Sequence, residues 1–117
     1  MNIKVRITLN FKKETNRLIK KYPSLVEDLS ILQDTLLKNP KLGIPLGLNC
    51  FKIRLKSKRK GKSGGARIIS FVESTIVSKI ISKQNEITVY LISIYDKSEI
   101  DTISNEELKK LIKRKLN

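Results

Sequence analysis

Between Cys50 and Val72 the chain reads CFKIRLKSKRKGKSGGARIISFV, two short apolar-alternating runs on either side of a loop. Their period of two marks each run as a strand. In the first, residues 50–56, Phe51, Ile53 and Leu55 face the core. Lys52, Arg54 and Lys56 therefore share the other face, about 7 Å apart at two-residue spacing. Residues 57–65 (SKRKGKSGG) form a basic loop much longer than a tight hairpin needs, and Arg67 opens the second strand, 67–73. Lys52, Arg54, Lys56, Lys58, Arg59, Lys60, Lys62 and Arg67 carry no Asp or Glu between them, in a chain whose net charge is +14. Repulsion among so many like charges opposes compaction, and a polyanionic partner relieves it.

Upstream, residues 2–9 (NIKVRITL) alternate, with Ile3, Val5, Ile7 and Leu9 on one face, as in a half-buried strand. Asn10 is placed to cap a helix over 11–21, whose apolar face holds Phe11, Thr15, Leu18 and Tyr22. Pro23 ends it. Ser24 and Glu27 then have the spacing of a capping box. Leu25, Leu29, Leu32 and Leu36 continue as an apolar stripe until Asn39-Pro40 stops the second helix. Two helices joined this tightly predict an αα-hairpin packed across a sheet. KLGIPLGLN (41–49) reads as a Gly- and Pro-punctuated connection.

Downstream, residues 74–84 (STIVSKIISKQ) either extend the preceding strand or form an extra one. EITVYLISI (86–94) is nearly continuous in β-branched and aromatic residues, the composition of a central strand buried on both faces. Ser104 and Glu107 have capping-box spacing before a terminal helix with Leu108, Leu111 and Ile112 on one side. The order is β-α-α-β-β-β-α in a single α+β domain, residues 1–117, with no repeat and no linker.

At 39% apolar residues the chain has an ordinary core content for its 117 residues. The single cysteine, Cys50, rules out an internal disulfide and any multi-cysteine zinc site, as suits a reducing cytosol. No stretch has the apolar length of a membrane span or the form of a signal peptide, so a soluble cytoplasmic protein without membrane contact is expected. The chain has no histidine. Ser-His-Asp and Cys-His arrangements are excluded, and most transition-metal sites with them. Chemistry here must use Lys, Arg, Tyr, Asp or Glu, and a pI near 10.1 points to phosphate as the partner.

Single lysines on a strand face protect a sheet edge. Three cations in succession, a basic loop and Arg67 exceed that need, and the row reads as a phosphate-binding surface with strongly salt-dependent binding. Gly61-Lys62-Ser63 does not make a nucleotide-binding loop, because Lys56 stands where that pattern needs its first glycine. The loop serves equally as a wrap for a polynucleotide backbone or as a solubilising insert. Tyr95 and Lys97 follow the most buried strand. Tyr95 either stacks on a base or closes the core edge with its hydroxyl in water. Asp96 and Glu99 are expected to pair with the basic loop, and Tyr90 to sit in the core.

The element order, with FKIRL, then GKSGGAR, then IYDKSE before a final helix, resembles the RelE/ParE superfamily of bacterial toxin–antitoxin toxins. The similarity runs from KKETNRLIKKYPSLVEDL onward. It implies a small, twisted, mainly antiparallel sheet with the helical hairpin on one face and a C-terminal helix. In the RelE branch it implies a ribosome-dependent endoribonuclease that cuts messenger RNA in the A site without metal or cofactor, through attack of the 2′-hydroxyl on the adjacent phosphate. Lys52 and Arg54 match that family's paired cations on its second strand, Arg67 the arginine of the next strand, and Lys97 a cation after the last. Neighbouring cations favour a neutral lysine, the condition for Lys52 to act as general base. Arg54 and Arg67 would stabilise transition-state charge. Lys97 would donate to the leaving 5′-oxygen, with Tyr95 as substitute acid or stacking platform. Lys56, Lys58, Arg59, Lys60 and Lys62 would grip RNA, including 16S ribosomal RNA. Ile103 stands where many members place a tyrosine at the start of the final helix.

The same resemblance implies a short, acidic, partly disordered antitoxin that folds over the basic face in a hetero-oligomer. Three other readings share these residues. A ParE-like toxin poisons DNA gyrase without nuclease chemistry and has no need of the cationic row. A plain nucleic-acid-binding module has salt-dependent binding and no toxicity, and an inactivated toxin serves its antitoxin as a repressor component.

Overall fold

The computed structural model describes residues 2–55, 65–78, 83–100 and 102–115. Along these residues run β1 (Asn2–Ile7), α1 (Leu9–Ile19), α2 (Leu25–Lys38), β2 (Ile44–Gly47), β3 (Cys50–Arg54), β4 (Ala66–Ser78), β5 (Lys83–Asp96) and α3 (Asn105–Lys113). The strands form one sheet in the order β1-β5-β4-β3-β2. β1 lies parallel to β5, and the other three pairings are antiparallel. The architecture is α+β with a mixed sheet, and no described helix is long and apolar enough to cross a membrane.

Both faces of the sheet are covered. Phe11 and Leu18 of α1 and Leu25, Leu32 and Leu36 of α2 pack on one face against Ile53, Ile68, Val89 and Ile94. Leu108 and Leu111 of α3 pack on the other, against Cys50, Ile69, Tyr90, Ile92 and Tyr95. This double cover explains the unbroken apolar composition of β5, whose residues 87–96 are all buried, as a strand between two layers requires.

A β-bulge lies within β5. Ile69 pairs with Ser93 while Ser70 pairs with Leu91, leaving Ile92 as the extra residue. The extra residue shifts the alternation by one. Ile87, Val89 and Leu91 face the helical hairpin, as does Ile94, and Tyr90, Ile92 and Tyr95 face α3. Beyond Ile7, β1 no longer pairs with β5, and α1 takes over that edge. Thr8 donates its N–H to the Leu91 carbonyl at 3.2 Å, Asn10 Nδ2 donates to the Ile92 carbonyl at 3.0 Å, and Glu14 Oε1 accepts from the Ile94 N–H at 3.3 Å.

Several local expectations are corrected. The cap of α1 is Thr8, whose Oγ1 accepts from the Phe11 N–H at 3.1 Å. Asn10 lies inside the helix and is committed to β5. The Ser24–Glu27 capping box does not form, because Ser24 is already in helical backbone geometry and makes no side-chain cap. At α3 the Ser104 hydroxyl does accept from the Glu107 N–H, at 3.1 Å. The connection 41–49 contains the strand β2, which pairs with β3, so the order is β-α-α-β-β-β-β-α. Of the ambiguous segment 74–84, residues 74–78 extend β4 and 83–84 begin β5.

Candidate phosphate-binding face

Phe51, Ile53 and Leu55 lie in the core beneath the helical hairpin, while Cys50 lies in the core on the α3 side. Alternation therefore sends Lys52 and Arg54 out on the α3 side of β3. In β4, Ala66, Ile68 and Val72 face the hairpin and Ile69 faces α3, so Arg67 leaves on the same face as Arg54. The register sets Arg54 opposite Arg67, and Arg67 opposite Tyr95. Lys52 is opposite Ile69, one row inward. Directly opposed residues have Cβ atoms about 5 Å apart. Two guanidinium groups on neighbouring strands, with a lysine one pleat away, thus occupy one end of one face. Planar guanidinium forks match phosphate oxygens in pairs, which a lysine cannot do.

Lys97 is exposed just past the end of β5. Its N–H donates to the Gly65 carbonyl at 2.8 Å, so the β4–β5 pairing continues one step and holds Lys97 at the same end of the sheet as Arg54 and Arg67. Arg67 itself donates from Nη1 to the Ala66 carbonyl at 3.1 Å. The backbone register sets Lys52, Arg54 and Arg67 on one face and Lys97 at the same end of the sheet. Lys56, Lys58, Arg59, Lys60 and Lys62 lie outside the described residues.

Tyr95 is corrected as a stacking platform. Its side chain is 2% exposed and packs in the α3-side core, so its ring cannot meet a base. Burial pushes its phenol up, against the opposing pull of the Arg67 charge, which leaves it a protonated hydroxyl at neutral pH. Tyr90 is buried as expected.

Asp96 and Glu99 both find partners at α1 and the turn after it, while the loop cations expected to pair with them lie outside the described residues. Glu99 pairs with Arg17 at 3.2 Å. Asp96 Oδ2 accepts from Lys21 Nζ and from the Tyr22 hydroxyl, each at 2.7 Å, and Oδ1 accepts from the Ser98 N–H and hydroxyl, each at 3.0 Å. The Lys21 hydrogen bond, then the Ser98 N–H and the Tyr22 hydroxyl, hold the Asp96 carboxyl far below the usual carboxylate range. The signal in the sequence was the Asp-Lys-Ser step directly after a buried strand, which is the pattern of an Asx turn.

A groove of about 510 Å³ lies in the other layer and is lined by Val5, Ile7, Phe11, Thr15, Val26 and Leu29, among others. Its lining is mainly apolar, and it holds none of the row's cations. Cys50 is buried, and burial pushes its thiol up to about 11, so it is inert as a nucleophile. Among the described residues no cluster of three or more His, Cys, Asp or Glu could hold a metal ion. No protein-family model matches the chain.

Proposed function

We propose that this protein is a RelE-like toxin, a ribosome-dependent endoribonuclease that cleaves messenger RNA without metal and works opposite an acidic antitoxin. The observation that carries the reading is the pairing of Arg54 with Arg67 across β3 and β4, at the end of the sheet where Lys97 emerges and one pleat from Lys52. In this reading the scissile phosphate lies against the two guanidinium groups. Lys52 takes the proton of the 2′-hydroxyl as its oxygen attacks phosphorus. The bond from phosphorus to the 5′-oxygen breaks, Lys97 supplies the proton to that oxygen, and a 2′,3′-cyclic phosphate remains. Arg54 and Arg67 hold the charge that grows on the equatorial oxygens, where preorganised donors contribute most.

The test is cell-free translation with added protein and mapping of messenger 5′ ends, with and without ribosomes. Cuts confined to ribosome-bound message are expected, with a loss of about 10²-fold or more in cleavage rate for Arg67→Ala and for Arg54→Ala. Intact message and unimpaired translation would overturn the nuclease reading. Gyrase inhibition with intact message would replace it with the ParE-like one.

A further inference from the structure

The Asp96 carboxylate is not part of the cationic row, yet three separate segments converge on it. Lys21 and Tyr22 reach it from the end of α1 and the turn that follows, and Ser98 from the turn after β5. The third segment is the start of β4. Asp96 pairs in register with Ala66, and a Cβ built on Gly65 would lie 3.2 Å from Asp96 Oδ1 and 3.3 Å from the Tyr22 hydroxyl. The backbone of Gly65 therefore rests directly against this cluster. The sequence neighbours of these anchored positions are the functional ones: Tyr95 and Lys97 flank Asp96, and Arg67 follows Ala66. Asp96 is 3% exposed, with hydrogen bonds on both carboxylate oxygens, so it is a fixed anion that no solution ligand contacts.

We propose that Asp96 is a positioning residue. By tying α1, the Gly65–Ala66 backbone and the turn after β5 to one carboxylate, it sets where Lys97 and Arg67 stand relative to a bound phosphate. This rests on the reading of the row as a phosphate site, though not on cleavage. Two effects of Asp96 on a polyanion have opposite signs. As a bare negative charge it repels phosphate, so its removal tightens binding by raising the net charge. As a positioning group it improves the cation geometry, so its removal weakens binding.

The experiment is fluorescence anisotropy of a short, fully 2′-deoxy oligonucleotide, which the proposed chemistry cannot cleave, titrated with the full chain across a range of salt concentrations. The variants are Asp96→Asn, Gly65→Ala, Tyr22→Phe and Glu99→Gln, each used at a temperature where its unfolding transition shows it folded. Gly65→Ala crowds the same carboxylate while leaving the charge unchanged, and stands in if Asp96→Asn does not fold. Asp96→Asn and Gly65→Ala should each bind several-fold more weakly, with the slope of log K against log salt reduced by about 1 for each phosphate no longer neutralised. Tyr22→Phe leaves Lys21 and Ser98 in place and should lose less. Glu99→Gln should bind as tightly as the parent or more tightly. Unchanged or tighter binding by folded Asp96→Asn or Gly65→Ala would overturn the positioning role alone. A parent protein that does not bind the oligonucleotide would overturn the phosphate site and this role together. Failure to cut message in translation, with binding intact, touches only the nuclease reading.

Discussion

Two carboxylates, Asp96 at the end of β5 and Glu14 on α1, respond to pH in opposite directions. Asp96 is held below its ordinary value by hydrogen bonds from Lys21, Ser98 and Tyr22. Its contribution to stability is fully present above the unfolded carboxylate value of about 3.9 and is lost as pH falls through the folded value. Glu14 is the reverse case. Desolvation raises it above 4.5 despite hydrogen bonds from Ser93, the Ile94 N–H and Asn10, so its ionisation costs stability as pH rises through the raised value. All three bonds end on Glu14 Oε1, a position that a glutamine carbonyl oxygen can occupy as a neutral acceptor. Glu14→Gln should therefore raise Tm at pH 7 and leave it nearly unchanged at pH 4, as read by thermal melts across pH. A gain at pH 4 equal to that at pH 7 would contradict this account. Asp96→Asn should flatten the loss of stability of the parent below pH 5. Ser70 offers a smaller test. Its hydroxyl is buried beside the bulge with no hydrogen-bond partner among the described residues, and Ser70→Ala should stabilise by about 1 kcal/mol in chemical denaturation.

At the scale of elements, the β2–β3 hairpin shows how a strand escapes pattern reading. β2 is four residues long with Pro45 within it, which is tolerated because β2 is an edge strand. The turn that joins it to β3 is Leu48-Asn49, and both residues have positive φ, 56° and 60°. That is the requirement of a type I′ turn, which normally advertises itself as Asn-Gly. A leucine in the left-handed region costs about 1 kcal/mol or more. Leu48 is 41% exposed, so Leu48→Asn should stabilise the protein by about that amount. Gly43 is the counterpart. Its φ is +111° and an added Cβ would lie 2.5 Å from the Lys52 carbonyl oxygen. Gly43→Ala should destabilise by about 2 kcal/mol, and it should weaken phosphate binding more than stability alone explains, because it pushes on the backbone of Lys52. A Gly43→Ala protein as stable as the parent would show that the hairpin does not hold β3 in place.

For the molecule as a whole the governing quantity is charge. A net charge of +14 on 117 residues stores self-repulsion in the compact state. Added salt should raise Tm modestly by screening, since the Debye length is about 10 Å at 0.1 M. A short oligonucleotide at low salt should raise it further through preferential binding to the folded state. Arg54→Ala and Arg67→Ala should reduce the second effect much more than the first. A Tm insensitive to the oligonucleotide in the parent protein would remove the phosphate-binding face from consideration.

What the sequence determined by itself is whatever depends on period and charge. The alternation in 50–56 places Phe51, Ile53 and Leu55 against Lys52 and Arg54, and the leucine stripe of α2 and the buried character of β5 are equally legible. These follow from a side-chain repeat that any local segment carries. Tertiary structure decided everything that depends on register between distant segments. Opposition of Arg54 to Arg67 requires the pairing of β3 with β4. Placement of Tyr95 in the α3 layer requires the extra residue Ile92, which shifts the alternation so that the ring faces α3 and not the helical hairpin. Capture of Asp96 by Lys21 and Tyr22 joins residues 75 and 74 positions apart, and no local pattern encodes such a partner. The cap at Thr8 moved for the same reason. Asn10 was the better cap by type, but the β5 edge left open by the end of β1 needed a donor, and satisfying a buried carbonyl outweighs a helix cap that Thr8 supplies two residues earlier.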